Sequence, residues 1–77
     1  MKDGLTLYSR SGCHLCEQAE ELLTRGGVVF TRVEIAGDAD LERLYGWDVP
    51  VLAQNEKILA KGVFSRARLA GLGLLSP

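Results

Sequence analysis

Leu5-Thr6-Leu7-Tyr8-Ser9-Arg10-Ser11-Gly12-Cys13-His14-Leu15-Cys16 contains the change of hydrophobic period that decides the fold. Leu5 to Tyr8 is short and rich in strand formers, which predicts a strand. Ser9-Arg10-Ser11-Gly12 reads as a loop. From Cys13 the spacing changes. Leu15, Ala19, Leu22 and Leu23 recur at i, i+4, i+7 and i+8, and Glu17, Gln18, Glu20 and Glu21 take the other side. That pattern predicts an amphipathic helix of about three turns. Its acidic first half suits the positive end of the helix dipole, and Gly26-Gly27 stops it.

Working outward, Val28-Val29-Phe30-Thr31-Arg32-Val33-Glu34-Ile35 is rich in β-branched residues and predicts the next strand, with Val29, Thr31, Val33 and Ile35 on one side. Gly37-Asp38 opens a second helix, capped by Asp38 or Asp40, with Leu41 and Leu44 facing inward and an end near Gly46. Val49-Pro50-Val51-Leu52-Ala53 begins a third strand. Gln54-Asn55-Glu56 turns, and Lys57 to Lys61 returns as a fourth, the spacing of a hairpin. Ser65 caps a last helix carrying Ala67, Leu69, Ala70 and Leu72, which Gly71 and Gly73 weaken. The order is β-α-β-α-β-β-α, of α/β class. A strand–helix–strand unit implies a parallel pair with a right-handed crossover. The hairpin adds antiparallel strands, giving a four-stranded mixed sheet flanked by helices on both faces.

Composition bounds the function. The chain has 77 residues, read as a single domain spanning 1–77, with 47% hydrophobic and 25% charged residues. These fractions fit a globular domain and not a disordered chain. A formal net charge of −1 supplies no basic field for nucleic acid and no cationic face for a membrane. The start, Met1-Lys2-Asp3-Gly4 before a four-residue apolar run, lacks the pattern of a secretory leader, and no run reaches membrane-spanning length. The expected location is the cytoplasm, where a cysteine pair is more often catalytic or metal-binding than structural.

Cys13 and Cys16 are the only cysteines. They lie too close in sequence to act as a staple, because closing so short a loop removes little chain entropy. Their place at a helix start, after a strand and a short loop, points to redox chemistry. Free backbone N–H groups and the dipole there stabilise an anion, and a thiolate in that position has a lowered pKa. Cys13 is placed to be that thiolate. Cys16, one turn in and on the same face, is placed to resolve a mixed disulfide. His14 and Arg10 are the nearby cations. A protonated His14 would favour the thiolate, and Arg10 is a candidate to steer an anionic thiol. A zinc site needs four ligands, and two cysteines and one histidine do not complete one, so no metal is expected in a monomer.

At these residues the sequence resembles the glutaredoxins, within the thioredoxin superfamily. Leu5 to Cys16 looks like their opening strand and active-site loop, most similar to small bacterial glutaredoxin-like proteins with a Cys-His-Leu-Cys motif. Tyr45-Gly46-x-x-Val49-Pro50-Val51-Leu52 matches their second landmark. The resemblance implies a thioredoxin fold, a cis Pro50 against the dithiol, and a Val49 whose backbone groups meet an extended thiol substrate. It implies no bound cofactor, with glutathione a candidate reductant. The chain also departs from its relatives. Gly12 and Leu7 stand where thioredoxins carry a tryptophan and a buried aspartate. His14-Leu15 replaces Pro-Tyr or Pro-Phe. Gly62-Val63-Phe64-Ser65-Arg66 lacks the second glycine and the acid that help hold glutathione.

The expected function is a dithiol disulfide oxidoreductase with an electron-transport role. Cys13 attacks a protein or low-molecular-weight disulfide, or a glutathionylated substrate, and Cys16 resolves it. An external thiol or a reductase resets the pair. The alternatives are a redox-inactive thioredoxin-fold module that binds an extended peptide or thiol along Val49-Pro50, and a metal or iron–sulfur carrier formed by a dimer. Trp47, three residues before Pro50, is either core packing or a wall of the substrate groove.

Overall fold

The computed structural model describes residues 4–75, so Met1 to Asp3, on which part of the leader argument rests, lie outside the described residues. Its elements are β1 (Leu5–Ser9), α1 (His14–Arg25), β2 (Phe30–Glu34), α2 (Ala39–Tyr45), β3 (Val51–Gln54), β4 (Lys57–Lys61) and α3 (Arg66–Gly71), in the expected order. They build one four-stranded mixed sheet, β2-β1-β3-β4. β1 runs parallel to β2 and antiparallel to β3, and β4 returns antiparallel to β3. The fold is thioredoxin-like.

Strand alternation decides what each face carries. Leu5, Leu7 and Ser9 of β1 are buried on one side. There Leu5, Leu7 and Leu52 pack with Ala19 and Leu23 of α1, Leu69 of α3 and Leu75. Tyr8 points the other way and stacks on Tyr45 of α2, ring centroids 4.3 Å apart. So α1 and α3 cover one face, and α2 the other. Each helix starts on a side chain that satisfies a free N–H: Cys13 for α1, Asp38 for α2 and Ser65 for α3. The β3–β4 hairpin turns at Asn55 and Glu56, both with positive φ, as a two-residue turn between twisted strands requires.

Four expectations about faces and ends need correction. On the predicted face of α1, Ala19 and Leu23 are buried and Leu22 packs against the core, but Leu15 is exposed and Cys16 is buried in its place. β2 is shorter than predicted, and Val29 and Thr31 are exposed. The register Leu5↔Phe30 explains this: Phe30, not Val29, shares the face that α1 covers, and it packs on the core. On the opposite face Thr31 is exposed, and in α2 Leu44 is exposed while Leu41 is half-buried. β3 begins at Val51, after Pro50. No described helix is long and apolar enough to cross a membrane.

Ser9 is fully buried, and among the described residues its hydroxyl has no hydrogen-bond partner. A buried hydroxyl without a partner carries a desolvation cost. Ser9→Ala is therefore expected to stabilise the protein by about 1 kcal/mol. A urea midpoint that stays the same or falls would overturn this.

Candidate active site

The loop after β1 delivers Cys13 to the start of α1. Gly12 adopts a φ of +82°, a conformation that a side chain would strain, and the Cys13 N–H then closes onto the Arg10 carbonyl at 3.2 Å. Cys13 caps the helix with its own side chain: Sγ accepts the Cys16 N–H at 3.2 Å. A helix terminus leaves its first N–H groups without internal partners, and here one of them points at sulfur. Cys13 is half-buried, Cys16 is fully buried, and both are free thiols. The Cys16 thiol is pushed up to about 11, mainly by burial and then by its hydrogen bond to Cys13. The Arg10 backbone N–H opposes this, and the charges of Cys13 and Glu20 add to it. The pair is thus asymmetric, with one sulfur at the surface and the other held protonated beneath it.

A carboxylate anchors the loop. Glu34, at the end of β2, accepts the Ser11 N–H at 3.0 and 3.1 Å, the Ser11 hydroxyl, and the Ala36 N–H at 3.0 Å. Arg32 joins Glu34 at 3.1 Å to Glu20 of α1 at 3.0 Å. Loop, sheet edge and helix therefore close into one ring. The Ser11 hydroxyl foremost, then the Ala36 N–H and Arg32, hold the Glu34 carboxyl down at about 2. A depressed folded-state pKa means that this contribution to stability is complete above the unfolded carboxyl's value, and that it is lost as pH falls through about 2. The urea midpoint of the protein should therefore exceed that of Glu34→Gln at pH 6, and the two should converge as pH falls toward 2. A gap that persists in acid would count against the clamp.

Arg10 is not a solvated loop charge. Its guanidinium pairs with Glu42 of α2, and its charge also acts on both cysteines. Gly46 lies against this pair, where a Cβ would fall 3.2 Å from both the guanidinium nitrogen and Glu42 Oε1. Arg10, Glu42, Gly46 and Trp47 line a pocket of about 350 Å³. Trp47 is 98% exposed, so it is not core packing. His14 is exposed, with Gln18 at 3.1 Å and Glu17 at 3.9 Å.

The Val49–Pro50 bond is cis, as the resemblance implies, and Pro50 is buried. The Gly62 N–H reaches both Asp48 O at 3.2 Å and Pro50 O at 3.0 Å, which ties this segment to the end of β4. Val49 differs from the expectation. Its N–H already donates to Tyr45 O at 3.1 Å, because the chain leaves α2 through one further tight turn. Only its carbonyl lacks a backbone partner among the described residues.

The structure thus gathers Arg10, Cys13 and Cys16, and it adds Glu34 and Glu42, which the sequence reading did not single out. A signal for Glu34 did exist. In a strand–helix–strand unit the parallel strands end on the same side, so the last residue of β2 must lie beside the loop that follows β1. Glu42 sits one turn before Gly46, and nothing in the spacing shows that it meets Arg10.

Solved structures share this arrangement of elements. The protein XcR50 from X. campestris is similar in its X-ray structure, with a TM-score of 0.81 and 43% identity over 91% of this chain and 96% of that one. Its solution structure gives 0.71 and 42% over 91% and 92%. Protein Ne2328 from Nitrosomonas europaea gives 0.67 and 31% over 96% of this chain and 93% of that one. No curated protein matches the chain. The family model for the glutaredoxin-like domain (DUF836) matches residues 4–72, from the residue before β1 to the C-cap of α3. With both cysteines inside that match, the chain belongs to the glutaredoxin-like domain family.

Proposed function

We propose that the protein is a thiol–disulfide oxidoreductase working through Cys13 and Cys16. The observation that carries this reading is the N-cap geometry: Cys13 Sγ accepts the Cys16 N–H at 3.2 Å, while the Cys16 thiol lies buried one turn inside. The Cys13 thiolate attacks one sulfur of a substrate disulfide. A Cys13–substrate disulfide forms, the substrate S–S bond breaks, and the other half departs as a thiolate that takes up a proton. Cys16 then loses its proton and attacks Cys13 Sγ. The Cys13–Cys16 bond forms and the second half leaves as a thiol. Two electrons have passed from the dithiol to the substrate. An external thiol or a reductase returns them. A reducing compartment such as the cytoplasm suits this cycle, because it keeps the pair charged with electrons.

The test is to trap the first intermediate. Reduced Cys16→Ser, mixed with a disulfide, is expected to retain one substrate half on Cys13, seen by mass spectrometry and released by dithiothreitol. The unmodified protein should end as the internal disulfide. If no adduct and no internal disulfide form with any disulfide offered, the dithiol is inert and the domain acts as a binding module.

A further inference from the structure

We infer that Glu42 is a specificity-determining residue: by pairing with Arg10 beside the dithiol, it turns Cys13 away from anionic disulfides such as oxidised glutathione and toward disulfides with uncharged flanks. The inference rests on the dithiol reading above and names the substrate class for that site.

Recognition of an anionic thiol needs a cation whose charge is free, or an N–H without a partner, close to the reacting sulfur. Arg10 lies beside the dithiol, since its carbonyl accepts the Cys13 N–H at 3.2 Å, and its charge acts on both cysteines. Its guanidinium is bonded to the Glu42 carboxylate, so an approaching ligand meets a dipole and not a net positive charge. Gly46 allows this pairing, since any side chain there would press on both partners. The same matching recurs around the cis-proline segment. Lys61, next to the Gly62 that holds Asp48 and Pro50, faces Asp48 at 3.7 Å. His14 faces Glu17 at 3.9 Å. The Val49 N–H, on the residue before Pro50, is spent on Tyr45.

What the pocket does offer is uncharged. Its walls are a neutralised ion pair, the bare backbone of Gly46 and the indole of Trp47. An exposed indole gives an apolar face to the group that flanks a disulfide, and it needs no charge in return. Leaving Trp47 98% in solvent has no packing rationale in the free protein.

The experiment mixes reduced protein with either oxidised glutathione or hydroxyethyl disulfide, and follows formation of the Cys13–Cys16 bond. Each rate is divided by that of dithiothreitol with the same disulfide, which removes intrinsic reactivity. The protein is expected to favour hydroxyethyl disulfide about fivefold, and Glu42→Gln to bring that ratio down to about one. A second arm uses the unmodified chain alone. Raising ionic strength from about 0.01 M to 0.15 M should change its rate with oxidised glutathione less than about twofold, because no net charge remains to be screened. A preference for oxidised glutathione, a steep fall with salt, or a ratio that Glu42→Gln leaves unmoved would each overturn the inference and point to cations elsewhere, such as Arg66. If neither disulfide oxidises the protein, it is the dithiol reading that fails, and the two failures are distinct.

Discussion

Cys13→Ser is expected to bring disulfide exchange down to the uncatalysed background, a loss on the order of a thousandfold or more, since a serine hydroxyl does not enter thiol exchange. The remaining thiol does not substitute for it. Cys16 is fully buried and its thiol is pushed up to about 11, with burial the leading cause, so little thiolate exists at neutral pH and little of it is within reach. In that variant, alkylation of Cys16 should be slow at pH 7 and rise only above about pH 9. Cys16→Ser should behave differently, with the attacking sulfur intact and the cycle halted after one step. Two readings taken together check this: turnover of a small disulfide, and thiol labelling against pH. If Cys13→Ser kept more than about a tenth of the rate, Cys16 would be the nucleophile and the geometry at the helix start would be incidental.

The second large effect is on stability. Leu7 is fully buried at the centre of the sheet, in a cross-strand row with Arg32, Leu52 and Ala60. It packs against α1 and α3 residues at once. Leu7→Ala should cost about 2–5 kcal/mol, the range for a leucine whose surroundings collapse only in part. At roughly 0.05–0.15 kcal/mol per residue, a domain of 77 residues has only about 4–12 kcal/mol in all. Chemical denaturation should therefore show the midpoint reduced by about a sixth or more, or no folded baseline at all. A loss under about 1 kcal/mol would mean that the row is loosely packed.

Much of this could be read in the sequence because it was local. The strand Leu5–Ser9, the loop and the helix start at Cys13 announce themselves by a change of period, and the caps Asp38 and Ser65 by residue type. The hairpin from β3 to β4 was legible from its turn residues. What escaped depends on contacts between distant segments. Periodicity puts Val29, Thr31, Val33 and Ile35 on one side of the β2 edge strand but does not show that Phe30, on the other side, packs on the core. Glu20 reads as one of several acids on a solvated helix face until Arg32 meets it from β2, and Arg10 reads as a free loop charge until Glu42 arrives from α2. Ion pairs between elements leave no mark on either element alone. Val49 escaped for a subtler reason: the resemblance fixes the proline, but whether the neighbouring N–H is free depends on how the chain leaves α2.

The position of β1 at the centre of the sheet has a consequence for how the chain assembles. β1 comes first in sequence, yet its two neighbours are β2, paired as Leu7↔Arg32, and β3, paired as Leu7↔Leu52. Neither pairing is local, and each must close a long loop before any ladder forms. During synthesis the segment carrying both cysteines is therefore made well before the strand that completes its surroundings. Until β3 is available, the core that α1 packs on lacks Leu52, the partner of Ala19 and Leu23 in that cluster. The packing beneath the helix start that carries Cys13 and Cys16 is thus completed late in folding.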